Sequence, residues 1–317
     1  MRSLKAMALL LFAGVAVRPA AAMELGVYTG AGCTGTAGLQ QFNAWLGRPV
    51  SRGLDFFAIA QTWGDVINEA NWVIYCWKSA HLPVKMTFSV PMLPTGSTFN
   101  FKQGMDGAYD KFFTQIGKAL VANGFANANL RIGWEFNGTW YPWSAQRNPT
   151  NWVAYYRRIV TTFRAVEGSH FTFDWNPTLG TVSLAPKEVY PGDEYVDYIG
   201  MDIYDQYWGP NGSIVKSPQT RWNDYLTEDY GMNWLRDFAE LHQKKISVPE
   251  WGVEYRTDGH GGGDDPFFIQ KMAAWFTAQN VAYSDYFDFN MQGTNYKISG
   301  KQFPESAAAF KAAFGPQ

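Results

Sequence analysis

Cysteine and histidine are scarce in this chain of 317 residues. There are two cysteines, Cys33 and Cys76, and four histidines, His81, His170, His242 and His260. No spacing among them matches that of metal ligands, which points away from a resident metal. Charge is scarce as well: Asp, Glu, Lys and Arg make up 17% of the chain, and 26 Lys+Arg against 28 Asp+Glu leave a formal charge of -2. Without a basic field there is no footprint for nucleic acid, and the ligand is expected to be uncharged or weakly charged. Beyond the first two dozen residues no apolar run approaches the ~20 residues of a transmembrane helix, so no membrane partner is expected. Disorder is excluded by a hydrophobic content of 46%, which is ample for a large core.

The N-terminus itself reads as a secretory leader. Arg2 and Lys5 precede an apolar run from Ala6 to Val17, and Arg18, Pro19 and Ala20 to Ala22 close it with small residues. That order is a signal peptide over residues 1–22, with a mature domain over 23–317 in a secreted or periplasmic setting. Export puts Cys33 and Cys76 in an oxidising compartment, where a disulfide between them is expected.

What the chain has in abundance is aromatic: 14 Trp, 17 Tyr and 23 Phe. Flat faces of this kind fill cores, and in a groove they serve as platforms for the C–H faces of sugars. Short apolar runs recur as strand candidates at Glu24–Tyr28, Leu54–Ala60, Lys85–Val90, Asn129–Trp134, Phe171–Trp175, Tyr198–Ile203, Lys245–Pro249 and Tyr283–Phe289. Helical spacing falls between them at Ala37–Leu46, Asp65–Ser79, Met105–Ala122, Trp152–Val166, Met232–Gln243 and Pro266–Gln279, and Glu305–Ala313 follows the last strand. Strands so apolar call for a parallel sheet covered by helices. Eight strand–helix units with no linker or repeat predict a single-domain α/β fold, a (β/α)8 TIM barrel with its active site at the C-terminal strand ends. A doubly wound open sheet would leave part of the chain unexplained.

Two glutamates leave such strand ends. Glu135 sits in Arg131-Ile132-Gly133-Trp134-Glu135-Phe136-Asn137-Gly138-Thr139-Trp140-Tyr141-Pro142-Trp143, a carboxylate among aromatics. Apolar neighbours raise a carboxyl pKa, as a general acid requires. Arg131 is the nearby base, and its spacing along the strand puts both roots on one face, so pairing and catalysis are compatible. Glu250 leaves the seventh strand candidate in Pro249-Glu250-Trp251-Gly252. Carboxylates at the ends of strands four and seven face each other across a barrel mouth, the arrangement for glycosidic cleavage; at ~5–5.5 Å separation configuration is retained.

These tracts resemble glycoside hydrolase family 26, whose members include β-mannanases, within the retaining barrel clan. The resemblance implies Glu135 as acid/base, surrounded by Arg131, Asn137, Trp140 and Trp143, and Glu250 as nucleophile. Asp202-Ile203-Tyr204 is similar to the strand end whose tyrosine hydrogen-bonds the nucleophile. Two departures stand out. Trp134 occupies the place of the histidine that family 26 mannanases usually carry before the acid/base. Phe289-Asn290-Met291-Gln292 stands where the clan usually places a sugar-stacking tryptophan, which makes Trp251 or Trp134 the expected substitute.

Other signals are weaker. Gly30-Ala31-Gly32-Cys33-Thr34-Gly35 matches a dinucleotide fingerprint with Asp55 as the acid, but Asp55 is expected to open its strand rather than end it, which favours a loop pinned through Cys33. His260 lies in a glycine-rich loop where it could touch substrate, and Asp264 or Asp265 is expected to cap the helix at Pro266. Asn176 is expected to line the cleft with Asp174 and Trp175. Asn137-Gly138-Thr139 and Asn211-Gly212-Ser213 match the glycosylation pattern, and glycosylation is not expected at the first because it lies in the site. The sequence thus predicts a monomeric, cofactor-free hydrolase of a β-linked polysaccharide. A β-mannan comes first, with mixed-linked β-glucan, β-xylan or a bacterial exopolysaccharide as alternatives. A carbohydrate-binding protein that has lost catalysis is the rival from another class.

Overall fold

A computed structural model describes residues 23–209 and 217–316. The leader assigned to residues 1–22 and the acceptor pattern at Asn211 lie outside the described residues. Eight parallel strands close into a barrel: β1 (Glu24–Tyr28), β2 (Arg52–Phe56), β3 (Lys85–Val90), β4 (Asn129–Ile132), β5 (Thr172–Trp175), a split sixth strand, β8 (Lys245–Val253) and β10 (Tyr283–Phe287). The sixth strand is broken into β6 (Tyr198–Gly200) and β7 (Ile203–Asp205), both paired with β8. β10 closes the ring against β1 and β8. A two-residue antiparallel ribbon, β9 (Tyr255–Arg256) with β11 (Thr294–Asn295), joins the loops that leave β8 and β10.

Nine helices cover the outside among the described residues: α1 (Gly32–Leu46), α2 (Trp63–Ala80), α3 (Phe101–Met105), α4 (Asp110–Ala122), α5 (Pro149–Arg164), α6 (Pro218–Thr227), α7 (Met232–Leu241), α8 (Pro266–Ala278) and α9 (Pro304–Phe314). The single helix expected over Met105–Ala122 is two, because Gly107 turns the chain at φ +93°. α6 was not expected, although Ser217 caps it and Pro218 opens it. Asp265 caps α8 as predicted, while Asp264 accepts from the backbone of Glu305 and Ser306 at the start of α9.

Outward strand positions such as Leu130, Ile132, Phe173 and Val248 form the core under the helices. The inward positions are polar, against the expectation of strands apolar on both faces. Arg52, Thr87, Ser89, Asn129, Arg131, Asp174, Ser247 and Asp285 are all buried. Several of them answer one another: Arg52 bonds Glu24 and Thr87, and Asp174 accepts from Ser247 and Tyr283, while burial raises the carboxyl pKa of Asp174 to about 6 and of Asp285 to about 7.

Cys33 and Cys76 are bonded, tying the start of α1 to α2. Asp55 stands near the end of β2, not at its opening, so the positional objection to a dinucleotide site fails. The site is nonetheless filled: the Asp55 carboxylate accepts from the Gly32 backbone at 2.8 Å, the Phe56 backbone at 2.7 Å and the Trp77 indole at 2.6 Å. Asp55 is also fully buried, so its carboxylate is not presented to a ribose.

Candidate active site

The C-terminal ends of the strands open into a cleft of two joined cavities, about 460 and 660 Å³. The smaller arm contains Glu135 and Glu250 with an aromatic wall of Tyr28, Phe56, Trp134, Tyr141, Phe287 and Phe289. The larger is lined by Trp140, Trp208, Tyr207 and the segment from Thr178 to Val182. Tyr204, Gln206 and Arg256 line both.

Glu135 follows β4 in a backbone conformation that side-chain-bearing residues seldom adopt, φ +51°. Strain of this kind costs of order 1–3 kcal/mol and persists only where neighbours impose it. Here the Glu135 N–H donates to Asn176 O at 2.8 Å. Asn137 is fully buried: its amide donates to Thr178 O and Gly180 O while its carbonyl accepts from Thr178 N. It is therefore a latch between the loops after β4 and β5, not a sugar contact or a glycosylation site. Trp143, also buried, donates its indole to Trp134 O at 2.8 Å and braces the turn from behind. Trp134 lines the cavity, packed between Phe56 and Tyr141.

Burial and the nearby charge of Glu250 raise the Glu135 pKa from its ordinary value to about 7, against the opposing Trp140 indole, which donates to Oε2 at 2.7 Å, and Arg131. The carboxyl group is thus poised to hold a proton near neutrality. Glu250 accepts from the Tyr204 phenol at 2.8 Å and lies 2.5 Å from the Arg131 guanidinium. Arg131 is buried at the centre of this floor, where it also pairs with Asp202 and donates to Asn176 and Ser89. Arg131, Asn176 and Asp202 are therefore a platform beneath the glutamates. Asp202 reaches the edge of the larger cavity; Arg131 and Asn176 line neither, against the expectation that they bind substrate.

The inward aim of Glu250 depends on a bulge. Ser284 pairs with Val248 and Tyr286 with Trp251, three steps on β8 against two on β10. The other neighbour shows the same excess, from Gly200–Ser247 to Ile203–Trp251. The extra residue lies at Pro249 or Glu250, where proline, lacking an N–H, is tolerated. Ser247 points into the barrel, so strict alternation would turn Glu250 out and Trp251 in. The bulge resets the phase, and Trp251 faces outward.

Trp251 is accordingly 0% exposed and packed among Phe268, Phe276, Phe310 and Phe314 of α8 and α9. It cannot be a sugar platform. Phe287 and Phe289, from the strand-eight end itself, line the cavity in its stead. His260 also fails as a cavity-lining residue: its ring stacks on Trp208 at 3.7 Å, and Nδ1 lies 2.7 Å from Tyr207 O. It supports the tryptophan that does line the cleft. Sequence reasoning missed Trp208, Tyr296, Glu254 and Arg256; the aromatic run Tyr204 to Trp208 was the one local signal for the first.

Among the described residues no group of three or more His, Cys, Asp or Glu side chains is arranged to hold a metal ion, and no helix is long and apolar enough to cross a membrane.

Comparison with known proteins bears on this geometry. The model of glycosyl hydrolase family 26 matches residues 123–237, a segment that contains Arg131, Glu135, Asp202 and Tyr204 and ends before Glu250. Endoglucanase H of Acetivibrio thermocellus is 26% identical over 222 residues, 66% of this chain and 22% of that protein. A mannan endo-1,4-β-mannosidase of Bifidobacterium adolescentis is 27% identical over 177 residues, 53% of this chain and 16% of that protein. The chain thus spans about a fifth of the length of these curated relatives. The structure of a Cellulomonas fimi endo-β-1,4-mannanase double mutant shares the fold, with a TM-score of 0.65 at 18% identity over 92% of this chain and 70% of that one.

Proposed function

We propose that this chain is a glycosyl hydrolase of family 26, supported by the family model's match over residues 123–237, and that it is an exported, retaining enzyme that cuts within a β-linked polysaccharide, with Glu135 as acid/base and Glu250 as nucleophile. The observation that carries this reading is the unequal pair in one cavity: a carboxyl group raised to about 7 and a second held by Arg131 and Tyr204. Two titratable groups with divergent surroundings are what acid and nucleophile require.

In the first step Glu250 attacks the anomeric carbon while Glu135 gives its proton to the departing glycosidic oxygen. The negative charge leaves Glu250 as the neutral ester forms and appears on Glu135, which has given up its proton, and Arg131 and Tyr204 stabilise the Glu250 carboxylate before the ester forms and after it is released. Once Glu250 is esterified, its charge no longer raises the Glu135 pKa. Glu135 then ionises more readily and takes a proton from water, which attacks the anomeric carbon and releases Glu250. Both carboxyl groups line the same arm of the cleft, as a retaining pair requires.

A β-1,4-mannan is the first substrate, in keeping with the mannan-cleaving relative. Mixed-linked β-glucan is the second, favoured by Trp134 in place of a histidine and by the relative named an endoglucanase. Export is in keeping with the Cys33–Cys76 disulfide. The test is turnover of mannan, mixed-linked glucan and xylan, with the anomer of the first product followed by NMR. Glu135→Gln and Glu250→Ala should lose nearly all activity while retaining the fold; full activity in either, or inverted products, would sink the assignment.

A further inference from the structure

The seam between the two arms of the cleft carries a side chain with no place in the chemistry above. Arg256, on β9, lines both cavities with 23% of its side chain exposed. It is held on two sides. Nη1 donates to Glu254 at 2.9 Å; Nη2 donates to Asp258 at 2.7 Å, and Nε to the same carboxylate at 3.0 Å. Guanidinium has five N–H donors, so three engaged leave two. Glu254 is buried, and the ribbon partner Thr294 of β11 fixes the backbone of Arg256 itself.

Beside it stands Trp208, 57% exposed, with the guanidinium carbon 5.1 Å from its ring centroid. The Trp208 indole donates to Gln206 at 3.0 Å, and His260 stacks against the ring. A braced flat ring beside a fork with spare donors is a sugar-binding arrangement: stacking holds the C–H face and the fork reads oxygen atoms at the rim. Two carboxylates against one guanidinium leave the cluster without spare positive charge, which suits neutral sugars and disfavours uronates.

We propose that Arg256 and Trp208 form a subsite for a neutral sugar unit remote from the cleaved bond, with Glu254 as the positioning residue that holds Arg256 in place. This rests on the hydrolase reading above and names a specificity determinant within it. An arginine held this way spends little further entropy on binding, so its hydrogen bonds translate into affinity for long chains.

The test compares Arg256→Met, Arg256→Lys and Glu254→Gln on β-1,4-mannohexaose, on a mixed-linked β-glucan hexasaccharide and on 4-nitrophenyl β-glycosides of the single sugars. Arg256→Met should raise KM for the cleaved hexasaccharide about tenfold or more, as expected for a lost charge-assisted bond. Its loss on the 4-nitrophenyl glycoside, which carries a single sugar, should be distinctly smaller than its loss on the hexasaccharide. Arg256→Lys should fail to restore KM, because a point charge lacks the fork, and Glu254→Gln should fall between. Equal losses on long and short substrates would mean a merely structural role and overturn the proposal, as would an unchanged KM. If the wild-type chain cleaves none of these, the hydrolase reading fails. Calorimetry with the same hexasaccharides then decides this proposal by itself: weaker binding by Arg256→Met than by the parent supports it, and equal or absent binding overturns it.

Discussion

The alkaline limb of the pH–rate profile is where the geometry around Glu135 can be tested most directly. A general acid works only while protonated, and burial with the Glu250 charge raises this carboxyl group to about 7. The sign follows: kcat/KM on a natural β-glycan should hold up to that pH and fall above it, to about a tenth one unit higher and about a hundredth two units higher. The opposing influence is identifiable, since Trp140 donates to Oε2 at 2.7 Å and favours the ionised form. Trp140→Phe removes that donor and should move the limb upward. A hydrogen bond to a charged group is worth about 1.5–3 kcal/mol, and one pKa unit corresponds to about 1.4 kcal/mol. Because Trp140 is 51% exposed, solvent replaces part of the lost bond, and a rise of about 0.5–1 unit is the reasonable expectation.

The assay is kcat/KM between pH 4 and pH 10 on two substrates, an oligosaccharide and an aryl glycoside with a highly acidic leaving group. The second needs no protonation for departure, so its glycosylation step should lose the limb near 7 while the oligosaccharide keeps it. Two results would refute the reasoning. A limb shared unchanged by both substrates would assign the titration to some other group. A downward move in Trp140→Phe would mean that the indole favours the protonated acid.

Three further outcomes follow from contacts elsewhere. Tyr204→Phe removes the phenol donor to Glu250 and should lower kcat/KM about 10- to 100-fold without unfolding the chain, checked by kinetics beside circular dichroism. Trp251→Ala should lower stability by about 3–5 kcal/mol in denaturant titration, because that ring packs beneath α8 and α9, and should also lower kcat of the folded fraction, because the same packing holds the bulge that aims Glu250. Reducing the Cys33–Cys76 bond, which spans 43 residues, removes about 4 kcal/mol of chain-entropy constraint, and a thermal melt with and without reductant should show the loss.

What could be read from the chain without coordinates divides along physical lines. β1 and β3 run over the residues predicted, and Glu135 and Glu250 meet in one cavity, because strand periodicity and strand ends are local properties. The tract from Arg131 to Trp143 was legible for a related reason: its turn is stabilised within itself, with Trp143 bonding Trp134 nine residues back. Roles within the tract were less so. Asn137 and Arg131 have the polarity of sugar ligands, but their partners arrive from the loop after β5 and from β8, and only the closed barrel reveals that those partners consume them. The seam at Arg256 was invisible for the same reason, since Trp208, Glu254 and Tyr296 come to it from three separate strand ends.

Trp251 marks a different limit. A tryptophan beside the nucleophile looks like a sugar platform, yet neighbouring residues on a strand face opposite ways, so if Glu250 enters the cavity Trp251 must leave it. Which of the two enters depends on where the count begins, and Ser247, bonded to Asp174 inside the barrel, starts it in the phase that would favour Trp251. One extra residue at Pro249 or Glu250 reverses the outcome. The bulge therefore does two things at once: it directs a carboxylate to Arg131 and Tyr204, and it delivers a large ring to the apolar layer of α8 and α9. Burial of that ring in turn holds the bulge in place, because sliding β8 by one residue would expose Trp251 to the polar barrel interior and strand Glu250 among phenylalanines. The aim of the proposed nucleophile is thus secured by packing on the face of the strand opposite the chemistry.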